Sequence, residues 1–107
     1  MNALVDMNAM RAAAGEASAL LRLLAHEDRL LLLCQLSQEE LCVGDLEERL
    51  DIHQPSLSQQ LGVLRRDGVV HTRRAGRHIY YRIADPRVLK LLQTLYGLFC
   101  DNEGEHE

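Results

Sequence analysis

The spacing of the apolar residues changes once along this chain, and that change limits the folds open to it. In residues 55–66 the leucines fall at positions i, i+4 and i+7, which places them on one face of a helix. Further along, Ile79, Tyr81 and Ile83 alternate with three more polar side chains, which is the two-residue period of a strand. A short β-branched run at 69–74 precedes that strand. A helix followed by a β-hairpin is therefore the centre of the predicted fold.

Leucine-rich segments on both sides of the hairpin predict further helices. Pro55 suits the first position of its helix, and Asp85 followed by Pro86 suits a capped helix start. Gly76 supplies the backbone freedom that a tight hairpin turn needs. The expected elements are, in chain order, helices at 7–24, 29–36, 43–50 and 55–66, strands at 69–74 and 78–83, and a last helix at 86–99.

The helix at 43–50, the turn at 51–54 and the amphipathic helix after it form a helix-turn-helix, and the hairpin that follows is its wing. The predicted fold class is therefore mainly α with one β-hairpin, a winged helix-turn-helix of order α-α-α-α-β-β-α. The second helix is apolar almost all round, which predicts that it is buried. We expect one domain over residues 1–107, with a polar link at 37–41 and a flexible tail at 101–107.

Composition excludes several classes of protein. The chain has 107 residues, enough for one compact domain and too few for two. It has no run of about 18 apolar residues and no leader-like N-terminus, so neither a membrane span nor a signal peptide is expected. Three cysteines without a C-x-x-C spacing do not suggest a disulfide framework, and we expect a cytoplasmic protein. Since no nucleophile–base pair or phosphate-binding glycine loop is visible, we expect neither an enzyme nor a cofactor.

The formal net charge of −4 hides an uneven distribution. Residues 1–52 carry a net charge of −6, and residues 88–107 carry −3. The segment between them, 53–87, holds seven arginines against two aspartates and carries +5. Because a phosphate backbone responds to the local field of a surface, the average charge does not argue against DNA binding.

The hairpin holds the densest part of that basic segment. Arg73, Arg74, Arg77 and His78 lie within six residues and have no acid between them. A charge cluster of this kind is often only a soluble loop, but it is unusual in an acidic protein. We interpret these four residues as phosphate and minor-groove contacts to double-stranded DNA.

Beyond these patterns, the residues of the helix-turn-helix and the wing carry a resemblance to a known family. Residues 40–46 read E-L-C-V-G-D-L, and residues 54–65 read Q-P-S-L-S-Q-Q-L-G-V-L-R. With I-Y-Y-R-I at 79–83 and L-Y-G-L-F-C at 95–100, the sequence resembles the arsenic-repressor (ArsR) family over about residues 17–100. The resemblance implies a repressor of transcription, a homodimer joined through its first and last helices, with one recognition helix per subunit in successive major grooves.

By analogy with the family, DNA bases are read by the turn and by the exposed face of the fourth helix. Glutamine can bind an adenine edge through both groups of its amide, and serine is also compatible with base contacts. The residues expected near base edges or adjacent phosphates are Gln54, Ser56, Ser58 and Gln59. From composition alone, a merely solvated helix face fits these residues equally well.

Within the family the sequence is most similar to the BigR-type branch, which responds to sulfide and persulfide. That branch carries one cysteine in the second helix and another at the end of the last helix, and the matching residues here are Cys34 and Cys100. The resemblance implies that a reactive sulfur species joins the two thiols by a sulfur bridge and so releases the DNA. Without the resemblance, Cys34 among leucines fits an inert small hydrophobe, and the helix dipole disfavours a thiolate at Cys100.

Two other functions stay open. Cys42 matches one cysteine of the arsenite-sensing motif E-L-C-V-C-D-L, but Gly44 stands where the second thiolate belongs. A metal or metalloid sensor therefore has to combine Cys42 with Cys34 or a symmetry-related thiol. The zinc-sensing pattern is missing, because no histidine lies between Asp85 and Cys100, and we expect no metal site. The other possibility is a protein-docking module whose basic hairpin meets an acidic partner.

Overall fold

The computed structural model describes residues 5–100, which contain five helices and a three-stranded sheet. The elements are α1 (Met7–Leu24), α2 (Glu27–Leu36), β1 (Leu41–Cys42), α3 (Val43–Leu50), α4 (Ser56–Arg66), β2 (Val70–Ala75), β3 (His78–Ile83) and α5 (Pro86–Phe99). This order confirms the winged helix-turn-helix predicted from the sequence. The expectation of a flexible tail at 101–107 lies outside the described residues.

The sheet contains one strand that the sequence pattern does not predict. β1 has two residues, Leu41 and Cys42, which pair antiparallel with Tyr81 and Tyr80 of β3. The strand order is therefore β1-β3-β2, with β3 in the middle. Two residues are too few to show the alternation of a strand, so the sequence indicates only a polar link at 37–41.

The core lies between the helices and one face of the sheet, and leucine dominates it. The side chains with no exposed surface include Leu32, Leu33, Leu46, Leu57, Leu64 and Val88. Fully burying one such side chain contributes about 1.5–3 kcal/mol, so these leucines fix α2, α3 and α4 against each other. The leucine face predicted for α4 is thus confirmed.

The prediction that α2 is buried is wrong for one side of the helix. Leu32, Leu33 and Leu36 are buried, but Leu31 is 43% exposed and Cys34 is exposed as well. A helix that is apolar all round shows no contrast between its faces, so its sequence does not tell which side the neighbouring elements cover. The uncovered side of α2 brings a thiol to the surface.

The turn between α3 and α4 sets the start of the second helix of the helix-turn-helix. Asp51 ends α3 in the left-handed region at φ 57°, which aspartate tolerates better than most residues. Its carboxylate lies 2.9 Å from His53 Nε2. The Gln54 side-chain oxygen then accepts the Ser58 backbone N–H at 3.1 Å, which satisfies one of the unpaired amides at the start of α4.

Asp85 caps α5 as predicted, and we expect its removal to be visible in the stability of the protein. Its Oδ1 accepts the backbone N–H of Arg87 at 2.9 Å, and the Arg87 guanidinium binds the same carboxylate at 2.7 Å. The hydrogen bond from the Arg87 side chain holds the pKa of Asp85 below its usual value. Asp85→Ala should lower the free energy of unfolding at neutral pH by about 1 kcal/mol, the usual contribution of an N-cap.

The pH dependence of this loss follows from the direction of the pKa shift. Because the folded-state pKa is lowered, the stabilisation is present above the unfolded-state pKa and disappears as the pH falls through the folded-state value. Asp85→Asn keeps the cap without the charge, so it should retain most of the stability at pH 7 and lose only the contribution of Asp85 to the acid dependence. Urea unfolding at pH 7 and pH 3 measures both effects. Equal losses of stability in the two variants at pH 7 would show that the cap hydrogen bond itself contributes nothing.

Candidate nucleic-acid interface and thiol pair

Helix α4 exposes a polar and uncharged face near its N-terminus. Ser58 and Gln59 are exposed, Ser56 is half-buried, and Gln54 is exposed in the turn just before the helix. The structure therefore brings the four predicted recognition residues together on one end of α4. The Gln54 oxygen is already used within this end of the helix, which leaves its amide nitrogen for an outside partner.

A neighbouring glutamine of α4 is used inside the protein. Arg29 Nη1 donates to Gln60 Oε1 at 3.0 Å, and Arg29 Nε donates to the Leu23 carbonyl at 2.8 Å. One guanidinium thus connects the end of α1, the start of α2 and the middle of α4. The Gln60 contact and the buried leucine face of α4 lie away from Ser58 and Gln59, which face outward.

The register of the hairpin separates two adjacent arginines onto opposite faces of the sheet. Arg74 is opposite Ile79, on the same face as the buried Val70. Arg73 is opposite Tyr80, on the outer face. Successive side chains of a strand point to opposite faces of the sheet. Arg73 and Arg74 therefore belong to different surfaces of the wing.

The turn of the hairpin carries the other two predicted wing contacts. Arg77 and His78 are both exposed, and Gly76 beside them adopts a φ of 64°, which favours glycine. Arg74 of β2 and two arginines at the end of α4 are exposed as well. Within residues 5–100, four of the exposed arginines in α4 and the wing form no ion pair: Arg65, Arg66, Arg74 and Arg77.

Arg73 differs from the other predicted contacts because an acid already binds it. Its Nε lies 2.9 Å and 3.1 Å from the two carboxylate oxygens of Glu40, and its Nη2 lies 2.8 Å from the first of them. Its guanidinium also lies 4.9 Å from the centre of the Tyr80 ring. The sequence carries no signal for this pair, because Glu40 and Arg73 are 33 positions apart.

Of the two predicted sensing thiols, Cys34 lies on α2 and Cys100 is the residue that caps the C-terminus of α5, and these two helices face each other across a hollow. Cys34 is on the wall of this hollow, which has a volume of about 590 Å³ and lies between α2 and α5. Tyr96 of α5 lines its other side, and the Cys100 backbone N–H donates to the Tyr96 carbonyl at 2.8 Å. Both thiols are exposed, and neither takes part in a disulfide.

The electrostatics of Cys34 do not favour a thiolate. Partial burial raises the pKa of the Cys34 thiol, and the nearby Cys100 thiol raises it further. A raised pKa leaves Cys34 mostly protonated at neutral pH, and the thiolate is the nucleophile in sulfur chemistry. Any reaction of Cys34 therefore starts from a small thiolate fraction that grows as the pH rises.

Cys42 lies apart from that pair, at the start of α3. Its Sγ lies 3.3 Å from Asp45 Oδ2, and its backbone N–H donates to the same oxygen at 3.3 Å. It lines a separate hollow of about 320 Å³ beside the wing turn. In the part of the chain that the structure describes, no three histidine, cysteine or acidic side chains lie close enough together to hold a metal ion.

Two helices expose apolar side chains that a single subunit leaves uncovered. The large apolar residues exposed on these helices are Met7, Met10 and Leu21 of α1 and Tyr96, Leu98 and Phe99 of α5. Phe99 has 74% of its surface exposed. Extended apolar patches on a protein surface usually mark an interaction site. None of the helices in residues 5–100 has the length and apolar character needed to cross a membrane.

A helix-turn-helix with an outward polar helix and a basic wing beside it defines a winged helix protein. The model of the bacterial regulatory protein family called arsR matches residues 26–72. A biofilm growth-associated repressor of Agrobacterium fabrum is 50% identical over 99 residues, which cover 92% of this chain and 85% of that protein. A repressor of the same name from Xylella fastidiosa is 46% identical over 94 residues, which cover 88% and 82%. This chain belongs to the ArsR family.

A solved structure supports the same assignment. The transcriptional repressor BigR from Xylella fastidiosa superposes with a TM-score of 0.87 and 43% identity, over 92% of this chain and all of that one. The family and the BigR-like character expected from the sequence are thereby confirmed. The homologues are transcriptional regulators, so this chain is a transcriptional regulator and not an enzyme.

Proposed function

We propose that this protein is a cytoplasmic, homodimeric repressor that binds double-stranded operator DNA and releases it when Cys34 and Cys100 are joined by a sulfur bridge. The observation that carries the proposal is a pair of free, exposed thiols, with Cys34 on the wall of the hollow between α2 and α5 and Cys100 at the end of α5. The printed names of the relatives, biofilm growth-associated repressor and BigR, support repression.

In this proposal α4 enters the major groove. Gln59 and Ser58 face base edges, with Gln54 and Ser56 at the entrance of the helix, because these exposed amides and hydroxyls match base donors and acceptors. The wing adds phosphate and minor-groove contacts, which fix the position of the protein on the duplex without reading sequence. The wing residues in this role are Arg74, Arg77 and His78, with Arg73 behind them in its ion pair.

The dimer forms through the uncovered apolar side chains of α1 and α5. Packing Leu21, Leu98 and Phe99 against a second copy removes their surface from water, which is the main driving force for association. A two-fold axis then places the two α4 helices toward successive major grooves. Half-sites in the operator are expected about 34–36 Å apart, one turn of the duplex.

The sulfur chemistry needs only an organic persulfide as reagent. The Cys34 thiolate attacks the outer sulfur of the persulfide, and the carrier leaves as a thiol, so that Cys34 becomes a persulfide itself. The Cys100 thiolate then attacks the Cys34 sulfur and expels hydrosulfide, which closes a disulfide. If Cys100 has also received a sulfur atom, the same attack closes a trisulfide. The transferred sulfur is reduced to hydrosulfide, and the two thiols are oxidised.

The bridge affects DNA binding because α5 faces α2 on one side and the second subunit on the other. One side of α5 faces Cys34 across the hollow, and its exposed apolar side faces the second subunit in the proposed dimer. Fixing α5 to α2 therefore changes how the two subunits sit, and with them the spacing of the two α4 helices. A coupling of about 1–3 kcal/mol, usual for allosteric proteins, weakens DNA binding about 5- to 150-fold.

Mass spectrometry of the purified, reduced protein tests this proposal. After treatment with glutathione persulfide we expect a bridge between Cys34 and Cys100 in one subunit, with or without added sulfur mass, and Cys42 unmodified. Peroxide in a parallel sample shows whether a plain oxidant closes the same bridge. Free Cys34 and Cys100 under both treatments would refute the sensing mechanism, and release of DNA by arsenite or zinc alone would favour a metal sensor.

A further inference from the structure

A single carboxylate neutralises part of the wing. Glu40 lies just before β1, and β1 pairs with β3. The Glu40 carboxylate contacts the Arg73 guanidinium with three distances of 3.1 Å or less, and Arg82 Nε lies 4.0 Å from its second oxygen. In the described residues, both ion pairs made by the hairpin go to Glu40. Two of the arginines on the outer face of the sheet therefore share one acid.

The arginines in the turn and on the other face of the wing differ from Arg73 and Arg82 in their ion pairing. Arg74 and Arg77 form no ion pair with any residue between 5 and 100, and Arg74 lies on the opposite face of the sheet from Arg73. The wing thus has an outer face on which Glu40 offsets one of the two charges of Arg73 and Arg82, and a turn and inner face whose arginines have no such partner among the described residues. Because phosphates attract any exposed cation regardless of sequence, this division decides which wing cations DNA can use.

A purely structural role, in which Glu40 only holds the hairpin in place, does not explain its position well. The hairpin is already held by six cross-strand residue pairs, and β1 adds two more on the other edge of β3. The Arg73 and Glu40 side chains keep 54% and 29% of their surface exposed, and exposed ion pairs contribute little to stability. A DNA phosphate can offer Arg73 the same geometry of two acceptor oxygens that the carboxylate offers.

We propose that Glu40 competes with DNA phosphate for Arg73 and Arg82, and so lowers the sequence-independent part of DNA affinity. The inference rests on the proposed function, because it needs the wing to lie on DNA. The pKa of Glu40 is lowered by its hydrogen bond from Arg73, so the competing carboxylate is ionised at neutral pH. The consequence of this competition is selectivity, because random DNA forms fewer phosphate contacts than the number of wing arginines allows.

The test compares Glu40→Gln with Glu39→Gln. Both variants remove one negative charge, at adjacent positions, and both release an arginine, since Glu39 Oε2 lies 2.9 Å from Arg49 Nη1 of α3. Only Glu40→Gln releases arginines on the wing. Fluorescence anisotropy with a 30-base-pair duplex of random sequence, titrated at several salt concentrations, measures the affinity of the reduced protein. Circular dichroism of each variant checks that it is folded.

We expect Glu40→Gln to raise the affinity for random DNA roughly tenfold at 0.1 M salt and to steepen the log–log salt slope by about one for each new phosphate contact. Glu39→Gln should stay within about twofold of the wild type. Adding Arg73→Ala to Glu40→Gln should cancel most of the gain. An equal gain in Glu39→Gln, or unchanged or weaker binding in folded Glu40→Gln, overturns the inference while the wild type still binds DNA. If the reduced wild type binds no duplex, the proposed function and this inference fail together.

Discussion

Replacing both Gln59 and Arg77 by alanine should weaken operator binding about a hundredfold at 0.1 M salt and leave the fold intact. Both side chains are exposed, and neither makes a hydrogen bond or an ion pair within the described residues. A lost bidentate contact to a base costs about 1–3 kcal/mol. Each lost phosphate contact also flattens the log–log salt slope by about 0.9, and a dimer loses one contact per subunit. Fluorescence anisotropy with the operator duplex measures both quantities.

The two single variants should weaken DNA binding in different ways. Arg77→Ala should weaken binding to all duplexes by a similar factor and flatten the salt slope. Gln59→Ala should weaken operator binding while leaving the affinity for random DNA unchanged. Lys90→Ala, which removes an exposed cation of α5 outside the proposed surface, is the matched control. Operator affinity within threefold of the wild type in the double variant would mean that α4 and the wing turn are not the DNA-reading surface.

Replacing either Cys34 or Cys100 by serine should abolish release of DNA by persulfide, while the affinity of the reduced protein changes by less than about threefold. Serine keeps the size of cysteine, and both thiols are exposed, so neither substitution disturbs the core. In the wild type, persulfide treatment should weaken binding about 5- to 150-fold, the usual range of allosteric coupling. Anisotropy before and after treatment gives this ratio for each variant.

Cys42→Ser is the control, because Cys42 is not part of the thiol pair, and it should respond to persulfide like the wild type. The pH dependence gives a second check. Because the pKa of Cys34 is raised, the rate of bridging should increase steadily from pH 7 to pH 9 as the thiolate fraction grows. A full response in Cys34→Ser, or a rate that does not change with pH, would contradict the proposed chemistry.

Most of the fold could be predicted because its elements carry strong local signals. The bounds of α1, α3, β3 and α5 agree with the predictions, since each has a clear period or a cap such as Asp85 before Pro86. The alternating faces of β3 are confirmed by the register, in which Ile79, Tyr81 and Ile83 lie on one face. Local patterns of this kind act within a few residues and are visible in a single sequence.

The features that could not be predicted depend on contacts between distant segments. The strand β1 exists only because β3 pairs with it, and the exposure of Cys34 follows from which side of α2 its neighbours cover. The pair between Glu40 and Arg73 joins positions 33 residues apart. The sequence identifies the candidate DNA contacts by their residue types alone. Only the structure shows that Arg73 is paired with an acid, whereas, among the described residues, Arg74 and Arg77 are not.

The salt dependence of DNA binding by the reduced wild-type protein tests the central claim most directly. The account predicts that, on a 30-base-pair DNA duplex, the logarithm of the affinity falls linearly with the logarithm of the salt concentration. With Arg74 and Arg77 of two subunits on phosphates, the slope should be about −3.6 or steeper. Binding that does not change with salt, or no binding to any duplex, would contradict it and would favour a winged helix that docks on protein.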